Sequence, residues 1–290
     1  MNDKQTVLVT GAGGSIGRAV CRALKQSGWQ VRGLSHRSSP GCVTADLRDP
    51  DALEKAAPDL DPAAVLHLAA VFPGVPDAEK NPRANEQMLA TLRSWMTARG
   101  TPAFLLASTC AVYGAAPPSP CVEDCDPNPQ GWYAEGKLTA EQMLENGPWR
   151  GVALRIAAPY GPNPPVPTVV HHFLARAAAG EDLTIWGSGR RTQQFIYVTD
   201  VARAFLLALD SPASGVFNVS GPEPVSMAEL AAACVRITRS KSLVRHTGQD
   251  PQESFRGLFP WDKARAGFGF EPLVSLEEGL TLTARHMGFL

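Results

Sequence analysis

A glycine-rich turn near the amino terminus is the feature that most constrains the fold. It reads Thr10-Gly11-Ala12-Gly13-Gly14-Ser15-Ile16-Gly17, after the apolar run Val7-Leu8-Val9 and before a helical pattern from Ser15 to Ser27. Glycine lets a backbone turn tightly and approach a pyrophosphate with no Cβ in between. The helix that follows offers free N–H groups and its positive dipole end to phosphates. The turn therefore predicts a dinucleotide-binding site.

Short strand-like runs alternate with helical patterns through the first half of the chain. Strands are predicted at Gln30–Leu34, Ala64–Leu68, Phe104–Ala107 and Val152–Ile156, with helices between them at residues 51–57, 83–99 and 133–145. Strands that alternate with helices indicate a parallel sheet covered on both faces. We predict an α/β fold, a doubly wound parallel (Rossmann) sheet with a smaller interleaved C-terminal substrate lobe.

The pattern becomes irregular and rich in proline after about Pro159. A helix at 196–209 and a strand at 216–219 are predicted to return to the sheet. A further helix is predicted at 227–238, followed by a loose tail that ends in 274–286. We predict a dinucleotide-binding domain of residues 1–158, joined by 196–219, and a substrate-binding lobe of residues 159–195 and 220–290.

Composition excludes several classes of protein. Lys and Arg total 27 against 28 Asp and Glu, so the net charge of -1 gives no electrostatic footprint for nucleic acid or an anionic membrane. The apolar runs are too short for a membrane helix, and the first five residues lack the apolar stretch of a signal peptide. The six cysteines have neither the density of a disulfide scaffold nor zinc spacing. We expect a cytoplasmic protein with reduced thiols and no metal.

Tyr133 and Lys137 form the pattern that most clearly indicates catalysis. They are four residues apart on a predicted helix, so both side chains leave the same face. A phenol has a pKa of roughly 10, and a neighbouring ammonium lowers that pKa by stabilising the phenolate. Ser108-Thr109 ends the preceding strand, where a hydroxyl can hydrogen-bond a reacting oxygen. We predict hydride-transfer chemistry at this place.

An ordered set of motifs carries a resemblance to a known family. The spacing of Gly11, Gly14 and Gly17 resembles the T-G-x-x-G-x-x-G turn of the extended short-chain dehydrogenase/reductase family. This family comprises nucleotide-sugar epimerases, dehydratases and ketoreductases. Matching motifs follow in order along the chain at Asp46-Leu47, His67-Leu68-Ala69-Ala70, Asn85, Tyr133 with Lys137, Lys263-Ala264 and Val274-Ser275-Leu276-Glu277-Glu278-Gly279.

The resemblance implies roles for individual residues. It makes Thr109 the third catalytic residue beside Tyr133 and Lys137. It implies cofactor contacts from Asp46, Leu47, Leu68, Ala69, Ala70 and Asn85, from Gly11, Gly14, Ser15, Ile16 and Gly17, and from Tyr133 and Lys137. It also implies a homodimer in which the helix at 83–99 and the Tyr133 helix pair with the same helices of a second chain as a four-helix bundle. The apolar stripe of the helix at 83–99 contains Met88, Leu92, Trp95 and Met96.

The tip of the second strand bears on the choice of cofactor. An acidic residue there binds the ribose hydroxyls and repels a 2′-phosphate. This chain has Ser35, followed by His36 and Arg37, which leaves room and positive charge for the extra phosphate. We predict NADP, with NAD as the alternative.

The residues after Thr109 narrow the reaction that the resemblance implies. Sugar 4,6-dehydratases of the family have Asp-Glu directly after this threonine, whereas this chain has Cys110 and Ala111. Reduction of a 4-keto nucleotide sugar is the leading prediction. A nucleotide-sugar 4-epimerase with tightly bound NAD and an enzyme of a non-nucleotide carbonyl or alcohol are the alternatives. An NADP-sensing module without turnover is a further one.

The substrate side departs from the family in part. The arginine that often grips the substrate diphosphate aligns with Gln193, while Arg191 lies two residues earlier. Arg256 stands where a second phosphate-binding arginine lies in the family. A guanidinium fork suits a diphosphate in a way that glutamine does not reproduce. We predict substrate contacts from Phe72, Thr109, Arg191, Gln193 and Arg256, with a nucleotide sugar as the first choice of substrate.

Overall fold

The computed structural model describes residues 5–75, 78 and 83–290. The described strands are β1 (Thr6–Thr10), β2 (Gln30–Ser35), β3 (Val43–Thr44), β4 (Ala64–His67), β5 (Ala103–Thr109), β6 (Arg150–Ile156), β7 (Ala158–Tyr160), β8 (Leu183–Trp186), β9 (Thr192–Gln193), β10 (Phe195–Tyr197), β11 (Gly215–Val219), β12 (Val225–Ser226) and β13 (Val244–Thr247). The described helices are α1 (Ser15–Gln26), α2 (Pro50–Ala56), α3 (Ala84–Ala98), α4 (Trp132–Glu145), α5 (Val169–Ala178), α6 (Val198–Leu209), α7 (Met227–Ile237), α8 (Asp262–Phe268) and α9 (Leu276–His286).

A seven-stranded sheet forms the centre of the molecule. Its strand order is β11-β6-β5-β4-β1-β2-β3, and every neighbouring pair is parallel. One hydrophobic cluster lies between the sheet and the face covered by α1 and α6, and a second lies between the sheet and α2, α3 and α4. The predicted doubly wound parallel sheet is confirmed. The carboxyl ends of β1, β4 and β5 lie side by side, at the edge where ligands bind in such sheets.

A third hydrophobic cluster lies among α5, α7, α9, β8 and β10. These elements come mostly from the segments predicted as the smaller lobe. In contrast, α8 packs against β11 and contributes Ala264 and Phe268 to the first cluster, although residue 220 is the predicted start of the lobe. The division of the chain at residues 158/159 and 219/220 therefore stays a prediction.

Two local predictions differ from the structure. The run predicted as a helix from Ile196 begins instead as β10, and α6 starts at Val198. An apolar run that is buried on all sides does not reveal where a strand ends and a helix begins. The predicted loose tail contains the regular helix α9, whose first turn is capped by the Ser275 hydroxyl accepting from the Glu278 N–H at 3.2 Å.

Candidate active site

The glycine-rich turn lies against the end of β4 and leaves no space for side chains. Gly11 has a φ of +68°, and a Cβ on it would lie 2.6 Å from the Ala69 nitrogen. A Cβ on Gly17 would lie 2.1 Å from the Gly11 carbonyl oxygen. The N-terminus of α1, at Ser15, has no side-chain cap and no acidic residue in its first turn. These features fit a pyrophosphate, because backbone N–H groups are presented at close range and without a competing anion.

The side chains of this turn have different surroundings. The Ser15 hydroxyl donates to the Pro162 carbonyl at 2.8 Å, and Ile16 packs between the first and third hydrophobic clusters. Arg18 donates to the carbonyls of Gly13 and of Asn163, the latter at 2.9 Å. Arg18 was not singled out from the sequence, because its contact with Asn163 joins distant parts of the chain. Together these bonds tie the turn to the loop that follows β7.

The tip of β2 is the predicted adenosine end of the site. Ser35 lies beside the glycine-rich turn, since a Cβ on Gly13 would lie 2.6 Å from the Ser35 hydroxyl. His36 and Arg37 are exposed, and Arg37 has no hydrogen bond or ion pair within the part of the chain that the structure describes. Its guanidinium is thus available to an anion.

Asp46 lies at the same end of the site and forms an ion pair with Arg48. Arg48 binds its carboxylate at 2.5 Å, and hydrogen bonds from Arg48 lower the pKa of Asp46 to about 2. The His36 ring nitrogen is 4.0 Å from the same carboxylate. Leu47 is buried in the second hydrophobic cluster. Asp46 is therefore ionised at neutral pH, and part of its charge is neutralised by Arg48.

The segment after β4 is fixed by side chains from two other elements. The Thr10 hydroxyl lies 2.8 Å from His67 Nδ1 and accepts from the Ala69 N–H at 3.3 Å. The Asn85 amide donates to the Val71 carbonyl and accepts from the Val71 N–H, both at 2.8 Å. The predicted contacts Leu68, Ala69 and Ala70 lie between these two clamps and are half-buried. In this structure Asn85 shapes the backbone of the site through Val71.

The predicted catalytic side chains lie at the carboxyl end of β5. Helix α4 packs on β5 and on a short 3-10 helix at Cys110–Tyr113. Lys137 donates from Nζ to the Ala107 carbonyl at 2.7 Å and lies 6.0 Å from the centre of the Tyr133 ring. The Thr109 hydroxyl accepts from the Ala111 N–H at 3.1 Å, so its hydrogen stays available to a substrate oxygen. The structure thus places Thr109, Tyr133 and Lys137 around one end of β5.

Neighbouring residues define which side chains face the site. Ser108 points into the protein and donates to Glu141, as expected from the alternation along a strand. Cys110 is buried and donates to the Arg155 carbonyl, so it is a packed thiol. The Phe72 ring contacts the Tyr133 ring edge-on with the centroids 6.4 Å apart. Phe72 therefore borders the predicted site of reaction.

The pKa values differ from the sequence-based expectation. Burial raises the pKa of Tyr133 to about 12, and Lys137 does not offset this effect. The pKa of Lys137 is lowered to about 8 by burial, with Glu141 acting in the opposite direction. The expected lowering of the tyrosine pKa is therefore not found here, because burial of the phenol determines the direction of the shift. Tyr133 is protonated at neutral pH and is suited to proton donation.

The two arginines predicted on the substrate side differ in how far their side chains are already bound by other residues. Arg191 binds Asp250 at 3.2 Å and Gln252 at 2.7 Å, so its guanidinium is largely engaged. Arg256 is exposed and donates only to the carbonyls of Glu253 and Phe255 among the described residues.

Backbone pairing brings the substrate-side residues together. Thr192 forms a bridge with Arg256, which places Gln193 beside it. Gln194 is buried and bonds the Gly221 carbonyl and the Phe259 N–H, so it is a structural residue. Arg256 is the freer of the two predicted cations.

No helix in residues 5–75 and 83–290 is long and apolar enough to cross a membrane. Within the same part of the chain, no group of three or more His, Cys, Asp or Glu side chains is arranged to hold a metal ion.

Comparisons with known proteins agree with this geometry. The model of the NAD dependent epimerase/dehydratase family matches residues 7–220. UDP-glucuronic acid decarboxylase 1 of Danio rerio is 29% identical over 98% of this chain and 73% of its own length. A dTDP-4-dehydro-6-deoxy-D-allose reductase of Streptomyces bikiniensis is 29% identical over 97% of this chain and 95% of its own length. The structure of UDP-glucose 4-epimerase from Thermotoga maritima with UDP-glucose superposes with a TM-score of 0.89. It is 27% identical and covers 98% of this chain and 99% of that chain.

Proposed function

Since the chain belongs to the NAD dependent epimerase/dehydratase family, we propose that it is an NAD(P)-dependent ketoreductase of a nucleotide-activated 4-keto sugar. The proposal rests mainly on the set Thr109, Tyr133 and Lys137 at the carboxyl end of β5, in the same sheet as β1 and its glycine-rich turn. Cys110 and Ala111 follow Thr109, so the Asp-Glu pair of the family's dehydratases is absent there. The similarity to the dTDP-4-dehydro-6-deoxy-D-allose reductase over nearly the whole chain supports this choice.

The residues act in the proposed reaction as follows. When bound, a nicotinamide cofactor would supply the hydride for the carbonyl carbon of the sugar. The Tyr133 phenol donates its proton to the carbonyl oxygen, and its pKa of about 12 keeps that proton in place at neutral pH. The Thr109 hydroxyl donates a hydrogen bond to the same oxygen, oriented by the Ala111 N–H that it accepts. Lys137 holds a positive charge beside Tyr133 that stabilises the developing phenolate.

The cofactor site is proposed to hold the two phosphates at the N-terminus of α1 and the adenosine near Ser35 and Asp46. The family is described by its use of NAD. We infer a preference for NADP from Arg37, which is exposed and free to bind a 2′-phosphate. The glycine-rich turn suits either dinucleotide, since it is proposed to bind the pyrophosphate that NAD and NADP share.

Arg37→Asp tests the cofactor preference. We expect about a 10-fold or greater increase in the Kd for NADPH and little change for NADH, since one charge-assisted phosphate contact is lost. Titration of the purified protein with each nucleotide measures both constants. Arg22→Asp, an equal charge change on the exposed side of α1, is the control.

The same titration separates the two leading functions. Tight NADPH binding with no nucleotide in the spectrum of the untreated protein supports the reductase. Co-purified NAD, together with Arg37→Asp leaving NADPH binding unchanged, supports a 4-epimerase. The likeness to the Thermotoga maritima epimerase makes this the second candidate.

The substrate's diphosphate is proposed to bind near Arg256 and Gln193. Arg256 has exposed N–H groups, while the Arg191 guanidinium is engaged by Asp250. This arrangement offers one free arginine to the diphosphate. Phe72 borders the sugar end beside Tyr133.

A homodimer is proposed from the family resemblance. The stripe predicted to form its interface, Met88, Leu92, Trp95 and Met96, is instead buried in the second hydrophobic cluster of the chain itself. A helix pattern shows that one face is buried but not which partner covers it. We expect light scattering to give about twice the chain mass of 30.9 kDa. A single species at the chain mass would contradict the dimer.

A further inference from the structure

A buried ion pair lies behind the helix that carries Tyr133 and Lys137. Arg155 Nη2 is 2.7 Å from Glu141 Oε2, and the two side chains are only 5% and 4% exposed. Arg155 Nε lies within 3.2 Å of both Glu141 oxygens, and the Ser108 hydroxyl donates to Oε1. One carboxylate on α4 thus accepts hydrogen bonds from β5 and from β6.

This carboxylate fixes the register of α4 on β5. Tyr133, Lys137 and Glu141 are spaced by four residues and so share one face of α4. Lys137 bonds the Ala107 carbonyl, and Glu141 bonds the side chain of the next residue, Ser108. Two successive turns of α4 therefore bind Ala107 and Ser108, the two residues of β5 directly before Thr109. A shift of α4 along β5 breaks both contacts at once.

Glu141 is also the charge that acts on Lys137. Lys137 is buried, and burial disfavours its charged form. Glu141 opposes burial by raising the pKa of Lys137, while Arg155 is not among the groups that shift that pKa. His67 is neutral at neutral pH, since burial and Lys137 lower its pKa to about 3. Tyr133, Glu141 and His67 are the titratable groups that contact Lys137 or share a charge effect with it. Arg155 and Tyr113 lie behind Glu141.

A contribution to stability alone does not account for such a pair. Replacing a buried ion pair with uncharged residues of similar volume is often neutral or stabilising, because desolvation of the two charges offsets their attraction. The pair also contacts three other groups. Glu141 accepts a hydrogen bond from Ser108. The Arg155 guanidinium lies over the Tyr113 ring and donates to the Glu123 carbonyl. The arrangement suits a role in geometry and charge.

We propose that Glu141 is a positioning residue that locks α4 onto β5 and places a carboxylate one helical turn from Lys137. The inference rests on the proposed function, because it acts through the roles assigned there to Lys137 and Tyr133. Protonated Lys137 is the active form, so activity falls as the pH rises through the pKa of this lysine. Loss of the Glu141 charge moves that fall to lower pH.

The double variant Glu141→Gln/Arg155→Met tests the charge role without leaving an unpaired buried charge. We expect the pKa of Lys137 to drop by about one unit or more. Heteronuclear NMR of lysine-labelled protein measures it directly, with the signal assigned by its loss in Lys137→Arg. The alkaline limb of kcat/KM should move down with it. Glu135→Gln, an exposed carboxylate on the same helix, should leave both unchanged. A folded double variant whose Lys137 titrates as in the wild type overturns the charge role.

Ser108→Ala tests the positioning role in a protein that keeps both charges. We expect kcat to fall about 10-fold, since small misplacements of reacting groups are costly, while the pKa of Lys137 stays unchanged. An unchanged kcat overturns the positioning role. The NMR titration needs no substrate, so its result on Lys137 does not depend on the proposed function. A failure to turn over any sugar nucleotide counts against the proposed function alone.

Discussion

We expect Tyr133→Phe to lower kcat/KM for reduction of a 4-keto nucleotide sugar by about 10³-fold. The substitution removes one hydroxyl and keeps the ring, so the edge-on contact with Phe72 is preserved. The expected loss is that of the proton donor in the transition state. Steady-state kinetics with NADPH measure it.

Cofactor binding provides the control for this variant. The predicted phosphate contacts come from the glycine-rich turn after β1, which β4 separates from β5 in the sheet. NADPH should therefore bind to Tyr133→Phe with a Kd close to that of the wild type. If Tyr133→Phe retains about a tenth or more of the wild-type kcat/KM, Tyr133 is not the proton donor.

Gly17→Ala is expected to weaken NADPH binding by about 100-fold or more. Its Cβ would lie 2.1 Å from the Gly11 carbonyl oxygen and 2.8 Å from the Ala12 Cα. Both are backbone atoms of the turn, so the turn itself must move away from the N-terminus of α1. Fluorescence titration with NADPH measures the loss, and circular dichroism checks that the variant is folded.

Gly136→Ala is the matched control for this substitution. Its Cβ would lie 3.9 Å from the Asn85 Cβ, an ordinary van der Waals distance, within helix α4. Alanine favours a helix over glycine, so this variant should fold and bind NADPH like the wild type. If Gly17→Ala binds NADPH as tightly as the wild type, the turn does not hold the pyrophosphate.

The sequence predicted those parts of the site that depend on local spacing. The glycine turn is set by residues within one βα connection, and Tyr133 and Lys137 share a face because a helix repeats every 3.6 residues. Thr109 was placed by the end of a strand together with the family resemblance. The family and the parallel sheet are confirmed, whereas the roles of individual site residues stay predictions.

Features that depend on contacts between distant residues were not predictable in this way. The Glu141–Arg155 pair joins a helix to a strand, and Arg18 reaches the loop after β7. The pKa of Tyr133 depends on how deeply the ring is buried, which spacing does not reveal. The apolar face of α3 illustrates the same limit, since Leu92 and Met96 are used by the core of the chain itself.

The central claim is net reduction of a sugar carbonyl, and isotope transfer tests it most directly. The protein is incubated with a dTDP-4-keto-6-deoxy sugar and NADPH that carries deuterium at the transferable position of its nicotinamide ring. We expect a 4-hydroxy sugar nucleotide with one deuterium at C4 and one NADP formed for each sugar reduced. Neither product should form with Tyr133→Phe. Interconversion of 4-epimers without deuterium uptake, on protein that retains its own NAD, would contradict the reductase.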